Sequence, residues 1–412
     1  MNRSSLAVQI FVALLIGVVV GVGFQASGSS LTPSVVTVGN WLGKTFLLLL
    51  NMVVLPLVAT SLLMSITGLA GGKGLGRLGV ITVGYYLMTS FTAILIGIAV
   101  VNIVQPGEGL DFSVLVAESE GAAPSKPASN SLDLTRRMIP SNIVAAASSN
   151  RSILGVIFFV ICLGIGAIRS GDDTAHKIHD MVEPFYTAIL TLTDGILKLA
   201  PIGIFGAVVG VTAATGVEAF ISLFGYFVSV LIGLFVHGVV VLPLVLWVVG
   251  KRNPVEYAKA MSEALLTAFS TASSSGTLPL TMRCATDRAN VDERVASFTL
   301  PLGSTVNMDG TALYEVIAVL FMAQMIAPLT LAEQGVVAVT ALLASVGAAG
   351  IPHAGTVMMV IVLQAVGLPT EGVLIILSVD RVLDMARTTV NVWSDSVGAA
   401  VVSALTPASE AA

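Results

Sequence analysis

The segment VDRVLDMARTTVNVWSD, residues 379–395, sits inside an apolar run from Val373 to Val402. It places Asp380, Arg381, Asp384, Arg387, Asn391 and Asp395 within seventeen positions. At about 100° per residue, Asp380, Asp384, Arg387, Asn391 and Asp395 fall near 0°, 40°, 340°, 20° and 60° on a helical wheel, with Thr388 at about 80° and Arg381 at about 100°. One narrow stripe of a helix therefore carries three acids, an arginine and an amide. Ionisable residues in an apolar span are costly and mark a pathway or a site. The plain structural alternative is a set of neutralising pairs such as Asp384–Arg387 at i,i+3. Apolar residues would fill a purely structural position at lower cost.

The rest of the chain has the same apolar character. It has 412 residues, 55% hydrophobic and 10% charged, with a mean hydropathy of +0.96. A soluble domain carries about 25% charged residues. Here 19 Lys plus Arg and 24 Asp plus Glu cannot coat a soluble surface. A soluble multidomain enzyme and a disordered chain are both excluded. A net charge of −5 with no basic run excludes a nucleic-acid partner. Cys162 and Cys284, both in apolar surroundings, suggest neither a disulfide framework nor a zinc site. The expected fold class is an all-α polytopic membrane protein, because helices satisfy their own backbone in lipid. The first apolar run, 6–24, follows Asn2-Arg3 and ends near Ala26-Ser27-Gly28, which is also the grammar of a signal peptide. The many apolar segments that follow make it the first span instead.

Windows of about 19 residues give spans near 6–24, 42–68, 79–104, 152–169, 182–212 and 218–249. Gln105–Asn150, with PGEGLDF and EGAAPSKPASNS, reads as a long extracellular loop with a short amphipathic return around Leu132–Ala147. Beyond Pro254 the apolar segments are short and interrupted. Tyr257–Phe269 ends in STASSSG, 270–276, and a short run follows through Pro279. Val295–Val306 is broken by Asn307-Met308-Asp309-Gly310 and resumes over Thr311–Met325. Val336–Val346 is broken by GAAGIPHAG, 347–355, and resumes over Thr356–Val366. The same order of parts occurs twice: Pro279 precedes Asn307 by 28 residues, and Pro352 precedes Asp380 by 28. Paired interruptions of this kind point to a binding site between inverted repeats; ordinary hairpins packed through small residues are the plainer alternative. Each half is too short for about 30 Å of hydrocarbon. The expectation is eight transmembrane helices plus two re-entrant helical hairpins, with both termini cytoplasmic. Eleven Lys and Arg then fall inside, against Lys44, Lys126, Arg136 and Arg137 outside.

The stripe chemistry suits a zwitterion with an extra carboxylate. Arg387 offers a planar fork to a side-chain carboxylate, and Asp384, one turn away, can accept an ammonium. Asn391 can bind a main-chain carboxylate and offer oxygen to a cation. Open amides of Ser273-Ser274-Ser275-Gly276 at a helix end can hold the same carboxylate. Asn307 and Asp309 lie in a broken helix, where freed carbonyls join side-chain oxygens. That ligation suits a hard cation, whose charge would neutralise Asp309 and Asp395 and make ion and substrate binding interdependent. A channel would show a ring-forming filter repeat, and none is visible.

SSSGTLP (273–279), NMDGTALYE (307–315), AAGIPHAG (348–355) and the 379–395 segment resemble the signature segments of the dicarboxylate/amino acid:cation symporter family, the glutamate transporter family. The resemblance spans the whole chain. It implies one membrane transporter domain, 1–412, assembled as a homotrimer in the inner or plasma membrane. A scaffold of approximately 1–70 and 130–215 would hold a transport domain of approximately 78–104 and 218–405 that slides as an elevator, with the outer hairpin as gate. The implied function is sodium-coupled symport of glutamate or aspartate, and no catalytic residue is expected. By resemblance the substrate meets Ser274, Ser275, Thr311, Ile351, Gly355, Asp384, Arg387, Thr388 and Asn391. One sodium site would use Gly303, Asn307, Asn391 and Asp395. A second would use Thr305 with the carbonyls of Ser345, Val346 and Ala348. A third would use Tyr86, Thr89 and Ser90, in YYLMTS, with Asn307 and Asp309. Glu315 resembles the residue that couples protons and potassium in animal members. Two departures stand out: Ala272 replaces an arginine of many prokaryotic members, and Met385 one of animal members. Arg381 stands nearby, either as substitute or as a structural partner of Asp380. His353 reads as an exposed polar residue, and His176, His179 and His237 do not cluster. A neutral amino acid carrier should lack Arg387, and a C4-dicarboxylate carrier has no need of Asp384. A proton-coupled glutamate or C4-dicarboxylate symporter is the runner-up.

Overall fold

The computed structural model describes residues 6–68, 77–108, 139–148, 153–215, 218–326, 328–346, 354–370 and 372–406. The regular elements among them are all helical. They are α1 (Leu6–Ser27), α2 (Thr32–Thr67), α3 (Arg77–Val104), α4 (Ile143–Ala147), α5 (Ile153–Arg169), α6 (Asp172–Leu197), α7 (Ala200–Thr215) and α8 (Glu218–Phe235). A π-helical segment, Val236–Val241, leads into α9 (Leu242–Val248), then come α10 (Pro254–Thr271), α11 (Ser274–Arg283), α12 (Glu293–Val306), α13 (Asp309–Ile326), α14 (Leu331–Val346), α15 (Ala354–Val366) and α16 (Val373–Leu405).

Val8–Ser27, Thr32–Thr67, Arg77–Val104, Leu223–Val248 and Glu293–Ile326 are long and apolar enough to cross a bilayer, and the bent pair Asp172–Leu197 and Ala200–Ala214 makes a sixth candidate. α16, at 33 residues, has the length as well but carries the charged stripe. Outward-facing Phe11, Val19, Leu48, Val80, Met88 and Ile103 are exposed, as lipid-facing side chains should be. Glu293–Ile326 is the opposite case, 89% buried over its best window, so it runs through protein rather than against lipid.

Several element boundaries differ from the sequence expectation. α2 starts at Thr32, ten residues before the expected span, with Pro33 in its first turn, where a missing N–H costs nothing. The expected span 182–212 is two helices meeting at 45°. The break falls at Lys198-Leu199, and α6 opens on Asp172 and Asp173, outside the apolar stretch. Of the expected return helix, the described part is α4, capped by the Asn142 side chain on Val144 and Ala145 N–H; residues 109–138 lie outside the described residues. The tip expected over 270–276 is narrower. Ser270 and Thr271 return their hydroxyls to Leu266 and Thr267 carbonyls, and α10 continues through them. The turn is Ala272, at φ 52°, followed by Ser273, whose Oγ accepts from Gly276 N–H and starts α11.

Packing divides the helices into two sets. α1, α2, α5, α6 and α7 contact one another most, and α3 with α8 through α16 form the other set. In the first set the helices approach through small residues. A Cβ on Gly39 would lie 2.6 Å from the Gly206 carbonyl, so α2 and α7 touch backbone to backbone there.

Candidate substrate and cation site

Three features meet around α16. α12 ends where Asn307 leaves helical conformation at φ −96°, ψ 85°, and α13 restarts at Asp309. The α10–α11 tip docks on that break, since Ser274 Oγ donates to the Ser304 carbonyl at 3.0 Å. The first turn of α15 lies over Arg387: a Cβ on Gly355 would sit 2.6 Å from Arg387 Cζ and Nη1, so only glycine allows the approach.

Arg387 is 1% exposed. Its Nη2 is 2.5 Å from Asp384 Oδ1, its Nη1 is 3.6 Å from Asp380 Oδ1, and its Cζ is 4.2 Å from the Tyr314 ring centroid. Asp380 Oδ2 accepts from Thr356 Oγ1 of α15 at 3.1 Å, and Arg381 reaches Asp384 at 3.8 Å. One turn onward, Asn391 Nδ2 donates to Thr311 Oγ1 at 3.1 Å while its Oδ1 accepts from Gly310 N–H at 2.8 Å. Thr388 is buried beside them, and Ser275 is exposed at the tip. Ile351 lies outside the described residues.

The second half of the site is built of oxygen. Asp309 and Asp395 are buried. Ser90 Oγ donates to Asp309 Oδ1 at 2.6 Å, and Ser394 Oγ to Asp309 Oδ2 at 2.6 Å. Asn307 Nδ2 donates to Asp395 Oδ1 at 2.9 Å and to Ser394 Oγ at 3.0 Å, and its Oδ1 accepts from Thr89 Oγ1 at 3.4 Å. Tyr86 Oη and Asp395 flank Gly303, where a Cβ would lie 2.8 Å and 2.5 Å from them. Two carboxylates, an amide oxygen and the hydroxyls of Thr89, Ser90 and Ser394, closed off from solvent, make a donor set that suits a hard cation. The structure thus brings together Tyr86, Thr89, Ser90, Gly303, Asn307, Asp309 and Asp395. Asn391 bonds to Gly310 and Thr311 on the Arg387 side of that cluster. For the remaining group, Thr305 and Ser345 bond carbonyls of their own helices, Val346 ends α14, and Ala348 lies outside the described residues. Glu315 is wholly buried on α13, and neither carboxyl oxygen has a hydrogen-bond partner among the described residues.

The profile of the sodium:dicarboxylate symporter family matches residues 6–405. The chain belongs to that family. A putative sodium-dependent excitatory amino acid transporter, glt-4, of Caenorhabditis elegans is 34% identical over 95% of this chain and 88% of its own length. Excitatory amino acid transporter 1 of Ambystoma tigrinum is 36% identical over 94% and 81%, and excitatory amino acid transporter 3 of Oryctolagus cuniculus 34% over 98% and 86%.

In this family member, sequence reasoning missed four contributors: Tyr314 under Arg387, Thr356 on Asp380, Ser394, and His237, whose Nε2 lies 3.0 Å from Asp309 Oδ2. A signal for His237 existed. It is an ionisable residue in the middle of the apolar segment GLFVHGVVVLPL, 233–244. Its partner is a carboxylate on another helix rather than a second histidine.

Proposed function

We propose that this family member is a sodium-coupled symporter of acidic amino acids, glutamate or aspartate. The observation that carries the proposal is the Asp384–Arg387 pair, buried between Tyr314 of α13 and the first turn of α15 and followed along α16 by an oxygen cluster that suits sodium. The names of its relatives, excitatory amino acid transporters, support the same substrate class.

With no substrate, Arg387 and Asp384 neutralise each other, which avoids two uncompensated buried charges. An acidic amino acid exchanges these partners: its side-chain carboxylate takes the Arg387 fork and its ammonium takes Asp384. Thr311, Thr388, Asn391, Gly355, Ile351, Ser274 and Ser275 would complete the pocket. Sodium would be held by Tyr86, Thr89, Ser90, Asn307 and Asp309, by Gly303, Asn307, Asn391 and Asp395, and by Thr305 with Ser345, Val346 and Ala348. Its charge offsets Asp309 and Asp395. Asn391 touches Gly310 and Thr311 and lies one helical turn from Asp395, so it links substrate and ion occupancy.

The chain is read as eight transmembrane helices and two re-entrant hairpins with both termini cytoplasmic. The α1, α2, α5–α7 set serves as scaffold of a homotrimer, and the α3, α8–α16 set as a transport domain that moves as an elevator. The separation of packing between these sets supports that division. Glu315 favours a second coupling ion, a proton or potassium, because a buried carboxyl with no hydrogen-bond partner is costly to keep charged. Uptake of labelled aspartate into proteoliposomes, with cations varied separately on each side, tests the proposal. Uptake should require external sodium; uptake driven equally well by a proton gradient in choline would overturn it.

A further inference from the structure

The long helix α8–α9 changes to a π-helical turn over Val236–Val241, and Pro243 follows in the first turn of α9. Proline has no N–H for the carbonyl one turn back, and a wider turn absorbs that mismatch. The irregular segment faces α16. A Cβ on Gly238 would lie 3.2 Å from Val390, and the Gly238 carbonyl accepts from Trp393 Nε1 at 3.0 Å. It also carries His237, wholly buried, to 3.0 Å from Asp309 Oδ2.

His237 Nδ1 is buried and has no hydrogen-bond partner among the described residues. A ring proton on Nδ1 would be stranded, whereas one on Nε2 makes the bond to Asp309. The proton is therefore assigned to Nε2, and the ring is the donor. Asp309 thus collects three donors: Ser90 on Oδ1, and Ser394 and His237 on Oδ2. They are not equivalent. A hydroxyl donates and accepts, and can rotate to present its oxygen elsewhere; a protonated Nε2 only donates.

We infer that His237 is a positioning residue for the cation site: its Nε2–H holds Asp309 in one orientation while Ser90 and Ser394 turn their hydroxyls from Asp309 to offer oxygen to a cation. The inference rests on the assignment of Asp309 to a sodium site. Partners of this kind, one shell out from the ion, change metal affinity by about 10- to 100-fold when removed.

The test uses purified full-length protein and its thermal unfolding midpoint, titrated with sodium chloride against choline chloride at constant ionic strength. His237→Leu, which keeps bulk but no donor, should raise the half-saturating sodium concentration at least about tenfold. His237→Gln, whose Nε2–H has the reach of the imidazole, should bring it back to within about threefold of wild type. Should the leucine variant not fold, His237→Asn replaces it, since its shorter amide falls short of Asp309 and should behave as donorless. Aspartate affinity should recover in each as sodium is raised. An unchanged sodium titration in the leucine variant, or equal shifts for leucine and glutamine, overturns the inference, the latter by making His237 a matter of packing. Asp309→Asn is run in parallel. If it leaves the sodium titration intact, the cation-site assignment fails, whatever His237 does.

Discussion

Gly303→Ala is the sharpest perturbation of the cation cluster, because two effects of opposite sign can be separated. An added Cβ would lie 2.5 Å from Asp395 Oδ1, 2.8 Å from Asp395 Cγ and 2.8 Å from Tyr86 Oη. Relaxed contacts begin near about 3.5 Å, so something must move by about 1 Å. Tyr86 is held by its 2.6 Å bond to the Thr299 carbonyl, and Asp395 by Asn307 at 2.9 Å. Alanine in the interior of α12 gains about 1 kcal/mol of helix propensity over glycine, while overpacking costs about 1–3 kcal/mol. Folding stability without sodium should therefore change by no more than about 2 kcal/mol. Sodium affinity has no such offset, since propensity is the same with and without the ion. Asp395 relaxes away from the methyl in the empty site and must be driven back against it on binding. At tenfold per 1.4 kcal/mol, the half-saturating sodium concentration should rise by about 5- to 150-fold. The assay is the sodium dependence of thermal stability, with Gly84→Ala on α3 as control, where an added Cβ meets nothing within 4 Å. Half-saturation within about twofold of wild type would refute the reasoning, since the expected strain corresponds to at least about fivefold.

Other expectations can be checked with the same preparations. Arg387→Cys should abolish aspartate binding while the protein still folds, and should admit neutral amino acids; aspartate binding at unchanged affinity in a calorimetric titration contradicts the site. Sodium alone should raise the unfolding midpoint, and aspartate should add to it only when sodium is present, because ligands stabilise the state they bind. Equal stabilisation by aspartate in choline and in sodium would point to proton coupling instead. Wild-type uptake should accelerate with internal potassium or with a pH gradient that is acid outside, and Glu315→Gln should respond to neither potassium nor the pH gradient. Indifference of the wild type to both would make Glu315 structural.

The fold was legible where composition and interruption carried it. Asn307-Met308 breaks a helix as its polar residues suggest, and α14 ends at Val346, where the small-residue run begins; residues 347–353 lie outside the described residues. The stripe of α16 was legible because a helix turns charge spacing directly into a face: Asp384 and Arg387 meet, and Asp380 reaches Arg387 as well. Boundaries were read less well. Ser270 and Thr271 look like breakers, yet their hydroxyls can satisfy carbonyls of their own helix, and only the neighbouring geometry decides. Contacts between distant helices left no periodic trace at all. Ser394 and Asp309 are 85 residues apart, His237 and Asp309 are 72, and no spacing rule connects them.

Trp393 gives the cation cluster a built-in reporter. The chain has three tryptophans. Trp41 and Trp247 are 63% and 65% exposed, whereas Trp393 is 6% exposed, two residues from Asp395 and bonded to the π-helical turn that carries His237. With Trp41 and Trp247 replaced by phenylalanine, ultraviolet emission would come from one indole whose N–H rests on that turn. A shift of the turn against α16 then becomes a change of colour, read in real time without a label.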